Sequence, residues 1–349
     1  MATIKDVAKA TGTSITTVSR VINNSGYVSQ TTRDKINKAI EELNYTPNAL
    51  ARSLVTDITQ SVGLIVPDIT SPYFAEIAKA IETVAEQHEY NVLLCNTNWD
   101  IEREKKYLLE FSQRRVDGII YATFRKNQEI IDIINKLKIP VVALDKNIEK
   151  EKNIKNIAVD NIMAGKMATE YLLDKGNRKI VFIGGENYIN VSKDRELGYI
   201  SALEEKGLEI VDRRIVYSDF NIKGGYEAMK KLAKRDIEID GIFLATDLMA
   251  IGAINFLTQN SIKIPNDVSI VGFDNIELAS IMKPTLTTIN LPIEIIARRA
   301  MKKMMKIIYK DEFNLNKNKN IKLEIIERMT TDIKGASAGV NLYRYLNVQ

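Results

Sequence analysis

The groups best suited to chemistry fall into two sets. The first is a run of small hydroxyls ending in a guanidinium: Ser14, Ile15, Thr16, Thr17, Ser19 and Arg20. Hydroxyls and arginine hydrogen-bond phosphate oxygens and base edges, and near a helix N-terminus they stand beside backbone N–H groups with no partner inside the helix. The second set is scattered, but each member follows an apolar run. It comprises Asp68 after GLIVP, Asn96 and Asn98 after VLLC, Asp145 after VVAL, Asp160 after IAV, Asp247 after FLAT and Asp274 after VGF. A carboxylate accepts two or more hydrogen bonds, so a ring of them suits a ligand with many hydroxyls, such as a sugar. Phe74, Phe220 and Trp99 add flat apolar faces for a sugar ring. A strand-end Asp can equally cap the next helix, and the pattern leaves both uses open. Asp160 and Asp247 are the best placed to cap.

Paired carboxylates could also serve acid–base chemistry or hold a metal. The single histidine, His88, has no His or Cys spacing around it, and there is no G-x-S-x-G, P-loop or G-x-G-x-x-G motif. No catalytic residue, metal site or cofactor is expected. The single cysteine, Cys95, lies in the apolar run NVLLCN and reads as a buried core thiol in a reducing compartment.

The hydroxyl run needs a helix to display it. Thr3 and Asp6 have capping-box spacing before a first helix with Ile4, Val7 and Ala8 on one face, and Thr11-Gly12-Thr13 is a tight turn. Ser14 then caps a second helix whose Val18, Val21 and Ile22 face inward, leaving the polar set outward. A third helix, capped at Ser29, brings Ile36, Ile40 and Leu43 to complete a small bundle. Helix, turn and helix in this order present the second helix to a DNA major groove, although a plain three-helix bundle with a solvated face fits the pattern too. Residues 1–60 hold seven Lys and Arg against five Asp and Glu, so charge does not decide the matter.

From Gln60 onward, apolar runs (SVGLIVP, NVLLCNT, GIIYAT, VVALD) alternate with amphipathic helices. After a pause at residues 157–160, the alternation restarts with KIVFIGG, RIVYS, GIFLA and VSIVGF. Two parallel sheets, each wound with helices on both faces, are the economical account. TLTTIN leads into a long helix over 292–308, and IKLEIIERMTTD reads as a last strand pair. In such sheets ligands bind beyond the carboxyl ends of the strands, where the Asp residues fall.

With 349 residues the chain exceeds one ordinary domain, and a net charge of +4 implies a mixed-charge surface without a polyanion-binding tract. No leader precedes the first helix and no apolar run spans a bilayer, so a cytoplasmic protein without membrane contact is expected.

The run TIKDVAKATGTSITTVSRVINNSGYVSQTTRDKINKAIEELNYTPNALARSL resembles the head and hinge of the lactose-repressor-like (LacI/GalR) family of bacterial transcription regulators, and the likeness continues to about Asp332. It implies a helix-turn-helix head (1–46), a hinge helix (47–58) and a two-lobed α/β body like that of periplasmic sugar-binding proteins (59–332). Each lobe would be discontinuous, one of 59–160 plus 291–321 and the other of 161–290 plus 322–332. The tail at 333–349 goes beyond the likeness and is left unassigned or disordered. By position, Ile15, Thr16 and Arg20 match base-reading residues. Thr3, Ser14, Thr17, Ser19, Asn23 and Tyr45 match residues near phosphates. Asn48 and Ala51 match the DNA-binding hinge, and Leu54 matches its minor-groove wedge. Arg195, Asp274, Asp145, Thr246 and Phe220 match effector-binding positions, to which strand-end placement adds Asp68 and Phe74. The implied partners are a palindromic double-stranded operator, a small effector and a second copy of the chain, with a tetramer left open. A sugar or sugar derivative is the expected effector. Purine-binding members carry an arginine shortly before the Arg195 position, where this chain has Ile189 and Val191. A sugar-transport protein and a carbohydrate-active enzyme are the remaining alternatives.

Overall fold

The computed structural model describes residues 2–46, 58–122, 127–144, 154–186, 189–310, 321–333 and 339–345. It divides into two compact units between Thr59 and Gln60. The first unit holds helices α1 (Ile4–Thr11), α2 (Ile15–Ile22) and α3 (Gln30–Glu42). Val7, Val18 and Ile36 form its core, each with 0% exposure. Gly12, at φ +61°, ends α1 in the left-handed conformation, which lets the chain turn at once into α2.

The second unit contains two sheets. In the first, β1 (Ser61–Val66), β2 (Asn91–Asn96), β3 (Gly118–Ala122), β4 (Val141–Leu144) and β5 (Ile154–Ile157) lie in the order β2-β1-β3-β4-β5, all parallel. Four matching strands of the second sheet are β6 (Ile180–Gly184), β7 (Ile215–Tyr217), β9 (Gly241–Leu244) and β10 (Ser269–Asp274); a two-residue β8 (Glu238–Ile239), between β7 and β9 in the chain, lies outside it. With β11 (Thr287–Asn290) and β12 (Glu324–Ile326), the order is β12-β11-β10-β9-β6-β7. Both sheets therefore repeat one winding, with the first strand of each beside its second and third. The fully buried strands β3, β4, β6, β9 and β10 are continuous apolar runs because helices cover both faces.

The covering helices are α4 (Pro72–Glu86), α5 (Ile101–Gln113) and α6 (Gln128–Leu137) on the first sheet. The second sheet has α7 (Asn161–Asp174), α8 (Asn190–Glu205), α9 (Ile222–Ala233), α10 (Asp247–Gln259) and the short α11 (Glu277–Ile281). The long α12 (Ile293–Ile308) follows β11 yet packs on α4 and on β3 to β5, so the chain crosses back to the first lobe there. Helices α7 and α8 approach to backbone contact. A methyl at Gly165 of α7 would overlap the Arg195 carbonyl of α8, and one at Gly198 of α8 would overlap the Ile162 carbonyl of α7.

Three features depart from the sequence reading. The pause at 157–160 ends a fifth strand, β5, whose polar Lys155 and Asn156 hid it. The expected final strand pair is one strand, β12, which runs antiparallel to β11, and Thr330 then bonds Ile270 and Thr287 rather than forming a second strand. The tail is ordered in part. Val340–Asn341 (β13) pairs antiparallel with β8, Asn341 donates to Asp236 at 2.7 Å, and Leu342 is 2% exposed.

Candidate functional site

In the head, Ser14 accepts the Thr17 N–H at 3.1 Å and shares a hydroxyl–hydroxyl bond with Thr17 at 2.9 Å. This fixes the start of α2, whose Ile15, Thr16 and Arg20 are all exposed, Ile15 to 45%. Asn23 donates to Ser19 at 3.2 Å, so these two act as one polar unit at the end of the helix. The Asp6 carboxylate accepts both the hydroxyl and the N–H of Thr3, which holds its pKa below the usual value. Tyr45 packs against the head core, so its ring supports the bundle. Tyr27, at 91% exposure, was not singled out in the sequence. Its signal was available, an aromatic residue directly after Gly26 in a segment too short and polar to bury it. The aliphatic part of Arg20 runs along Gly26, next to Tyr27. The positions Asn48, Ala51 and Leu54, and Asp145 of the second set, lie outside the described residues.

In the body, six expected residues meet around one cavity. Asp68, Phe74, Arg195, Phe220, Thr246 and Asp274 line it together with Trp99. Asp68 follows β1, Trp99 follows β2, Phe220 follows β7, Thr246 follows β9 and Asp274 ends β10, so the cavity lies beyond the carboxyl ends of both sheets. Trp99 stands edge-on to Phe74, with centroids 6.3 Å apart, and meets Phe220 of the other lobe at 6.2 Å. Phe220 rests on Gly185, where a methyl would overlap its ring. With these rings in contact the cavity measures about 30 Å³. That holds a water or two, and a larger ligand needs the rings to part.

Several polar groups already have work. Asp68 accepts the N–H and hydroxyl of Thr70 at 2.9 and 2.7 Å. Arg195 is 2% exposed, donates from Nε to Asn161 at 2.9 Å and from Nη1 to the Ala245 carbonyl at 2.5 Å, and lies 3.4 Å above the centre of the Phe273 ring. It therefore joins α7, β9 and β10 as well as facing the cavity. Asn96 and Asn98 bond each other at 2.7 Å, and Asn96 also accepts the Ile69 N–H.

Of the two expected caps, Asp160 caps α7 through the Met163 N–H at 2.9 Å. Asp247 does not cap. Thr246 caps α10 instead, accepting the Met249 N–H at 3.3 Å, and Asp247 turns inward with 0% exposure. Burial pushes the Asp247 carboxyl up to about 7, against the opposing pull of Thr288, two backbone N–H groups and Arg328. Cys95 is half-buried rather than fully buried, because β2 is an edge strand; burial still raises its thiol pKa. His88 is exposed just after α4. Among the described residues no group of three or more His, Cys, Asp or Glu is placed to hold a metal, and no helix is long and apolar enough to cross a membrane.

A helix-turn-helix head followed by two repeated α/β lobes around a cleft defines a ligand-responsive DNA-binding protein. The family model for lacI-type bacterial regulatory proteins matches residues 3–48, and the model for periplasmic binding proteins and the sugar-binding domain of the LacI family matches 59–328. The chain belongs to the LacI family of transcriptional regulators. It is 40% identical over 294 residues to a ribose operon repressor from Halalkalibacterium halodurans, covering 84% of this chain and 86% of that one. It is 39% identical over 291 residues to the repressor PurR of Pasteurella multocida, covering 83% and 87%. Among solved structures, a binding-protein-like LacI regulator from Alkaliphilus metalliredigens complexed with D-xylulofuranose matches with TM-score 0.67 and 34% identity, over 78% of this chain and 99% of that one.

Proposed function

We propose that the chain is a homodimeric repressor that binds a palindromic operator in the cytoplasm through α2 and is controlled by a small neutral sugar or sugar derivative held between its lobes. The observation that carries this reading is the cleft itself. Two carboxylates, Asp68 and Asp274, and four aromatic rings, Tyr73, Phe74, Trp99 and Phe220, meet there, an acceptor-rich, ring-faced lining suited to a polyhydroxyl ligand. The ribose operon repressor and the D-xylulofuranose complex among its relatives support a sugar of pentose size. A purine effector has support from the PurR relative. Against it, Ile189 and Val191, which stand where the family resemblance implies an arginine in purine-binding members, are 5% and 2% exposed.

The test is melting temperature against a panel of D-ribose, D-xylulose, cellobiose, a pentose phosphate and hypoxanthine. A ligand at a hundred times its Kd stabilises the folded state by about 2.7 kcal/mol. We expect a rise of several degrees with a neutral sugar and none with hypoxanthine. A rise with hypoxanthine alone would overturn the sugar reading.

For the head, Ile15, Thr16 and Arg20 are assigned to base edges, and Thr3, Ser14, Thr17, Ser19, Asn23 and the hydroxyls of Tyr45 and Tyr27 to phosphates. Arg20→Ala should cost about 1–3 kcal/mol against an operator selected from random DNA and relax base preference at one position of each half-site. A uniform loss at every sequence would make Arg20 a phosphate contact instead.

A further inference from the structure

The end of β10 is built against the conformational preference of its residues. Asp274 has φ +115° and Asn275 φ +61°. Two consecutive residues with side chains in this region persist only where the surroundings over-determine them. The surroundings here are specific. The next residue, Ile276, donates its N–H to Asp247 Oδ2 at 2.9 Å, and Thr288 on β11 donates to Asp247 Oδ1 at 2.6 Å. Gly272 makes room for this carboxylate, since a methyl there would overlap Oδ1. The Asn275 side chain is pinned in turn, accepting from Arg328 at 2.7 Å and donating to Asn290 at 3.0 Å. Asp247 has 0% exposure and is not part of the cavity lining, whereas its neighbour Thr246 and the strained Asp274 both are.

We propose that Asp247 is a positioning residue for ligand recognition: its buried carboxylate, bridging Thr288 and the Ile276 N–H, holds the left-handed turn that presents Asp274 to the cleft. The inference rests on the reading of Asp274 as a ligand-binding residue. Without the bridge, the turn relaxes toward ordinary φ values and the Asp274 carboxylate swings away from the position it now occupies. An asparagine at 247 can keep the bridge, because its oxygen still accepts the Ile276 N–H while its amide donates to the Thr288 oxygen. An alanine cannot.

The experiment compares Asp247→Asn, Asp247→Ala, Thr288→Val and Asp274→Asn in the full chain, by hydrogen exchange of residues 272–278 and by titration with D-ribose and D-xylulose. For Asp247→Ala we expect exchange at Ile276 to rise about tenfold or more, with the remainder of β10 still protected, and sugar affinity to fall about tenfold, the loss of roughly one charged hydrogen bond. Asp247→Asn should stay within about threefold of the parent in both readings, and Thr288→Val should fall between. Should the alanine variant fail to fold, Thr288→Val carries the same comparison. Unchanged exchange in Asp247→Ala or Thr288→Val, or an asparagine variant as impaired as alanine, overturns the proposal. So does normal sugar affinity in Asp247→Ala when Asp274→Asn has lost it. If the parent binds neither sugar, or Asp274→Asn binds as the parent does, the reading of the cleft fails, and the exchange data alone decide whether the bridge holds the turn.

Discussion

Arg195→Ala should melt about 10 °C below the parent and lose its response to effector, while operator affinity without effector keeps its value and salt slope. The family resemblance places Arg195 at an effector-binding position. The structure adds a second duty, because its guanidinium joins Asn161, the Ala245 carbonyl and the Phe273 ring at 2% exposure. Truncation strands two buried acceptors and empties the space above Phe273, a loss on the order of 3–5 kcal/mol. For a body of this size each kcal/mol is worth about 2 °C. Calorimetry of the full chain, alongside an operator titration over a salt series, separates the two duties. An unchanged melting temperature with lost effector response would leave Arg195 a ligand contact alone.

Gly165→Ala should have an effect of similar kind from outside the cleft. The added methyl meets the Arg195 carbonyl, which is backbone and cannot rotate away, so α7 and α8 must part. Overpacking of this type costs about 1–3 kcal/mol, and the displaced α8 carries Arg195 with it. We expect a melting temperature lower by about 5 °C and weaker effector binding. Gly198→Ala, which meets the Ile162 carbonyl from the other side, should match it. If either variant melts and binds as the parent does, the helix contact is looser than it stands here and does not set the position of Arg195.

What the sequence displayed well was local. Ser14, Ser29 and Asp160 announce their helices because a cap bonds an N–H only a few residues on. The apolar strands could be read because both of their faces are covered. The failures share one cause, that neighbours of similar chemistry were assigned by spacing although distant partners decided between them. Thr246 and Asp247 are both able to cap; Asp247 is drawn inward by Ile276 and Thr288, 29 and 41 positions away, and Thr246 takes the cap. In the same way β5 reads as polar linker until β4 supplies its ladder partner, and β13 has no strand character until β8 pairs with it. Asp68 and Asp274 could be collected from strand ends, because the winding rule places those ends together, whereas Arg195, Thr246 and Phe220 were placed by the family resemblance. That Trp99 would bridge Phe74 and Phe220 depends on the approach of two lobes, which no local pattern encodes.

That bridge gives the chain a built-in optical gauge. Trp99 is the one tryptophan in 349 residues, and its indole touches a ring from each lobe. Any change in the angle between the lobes must alter the surroundings of that indole, and so the colour and yield of its emission. Opening and closing of the cleft can therefore be timed in the unlabelled protein, with ultraviolet light and a rapid mixer, and without interference from a second emitting indole.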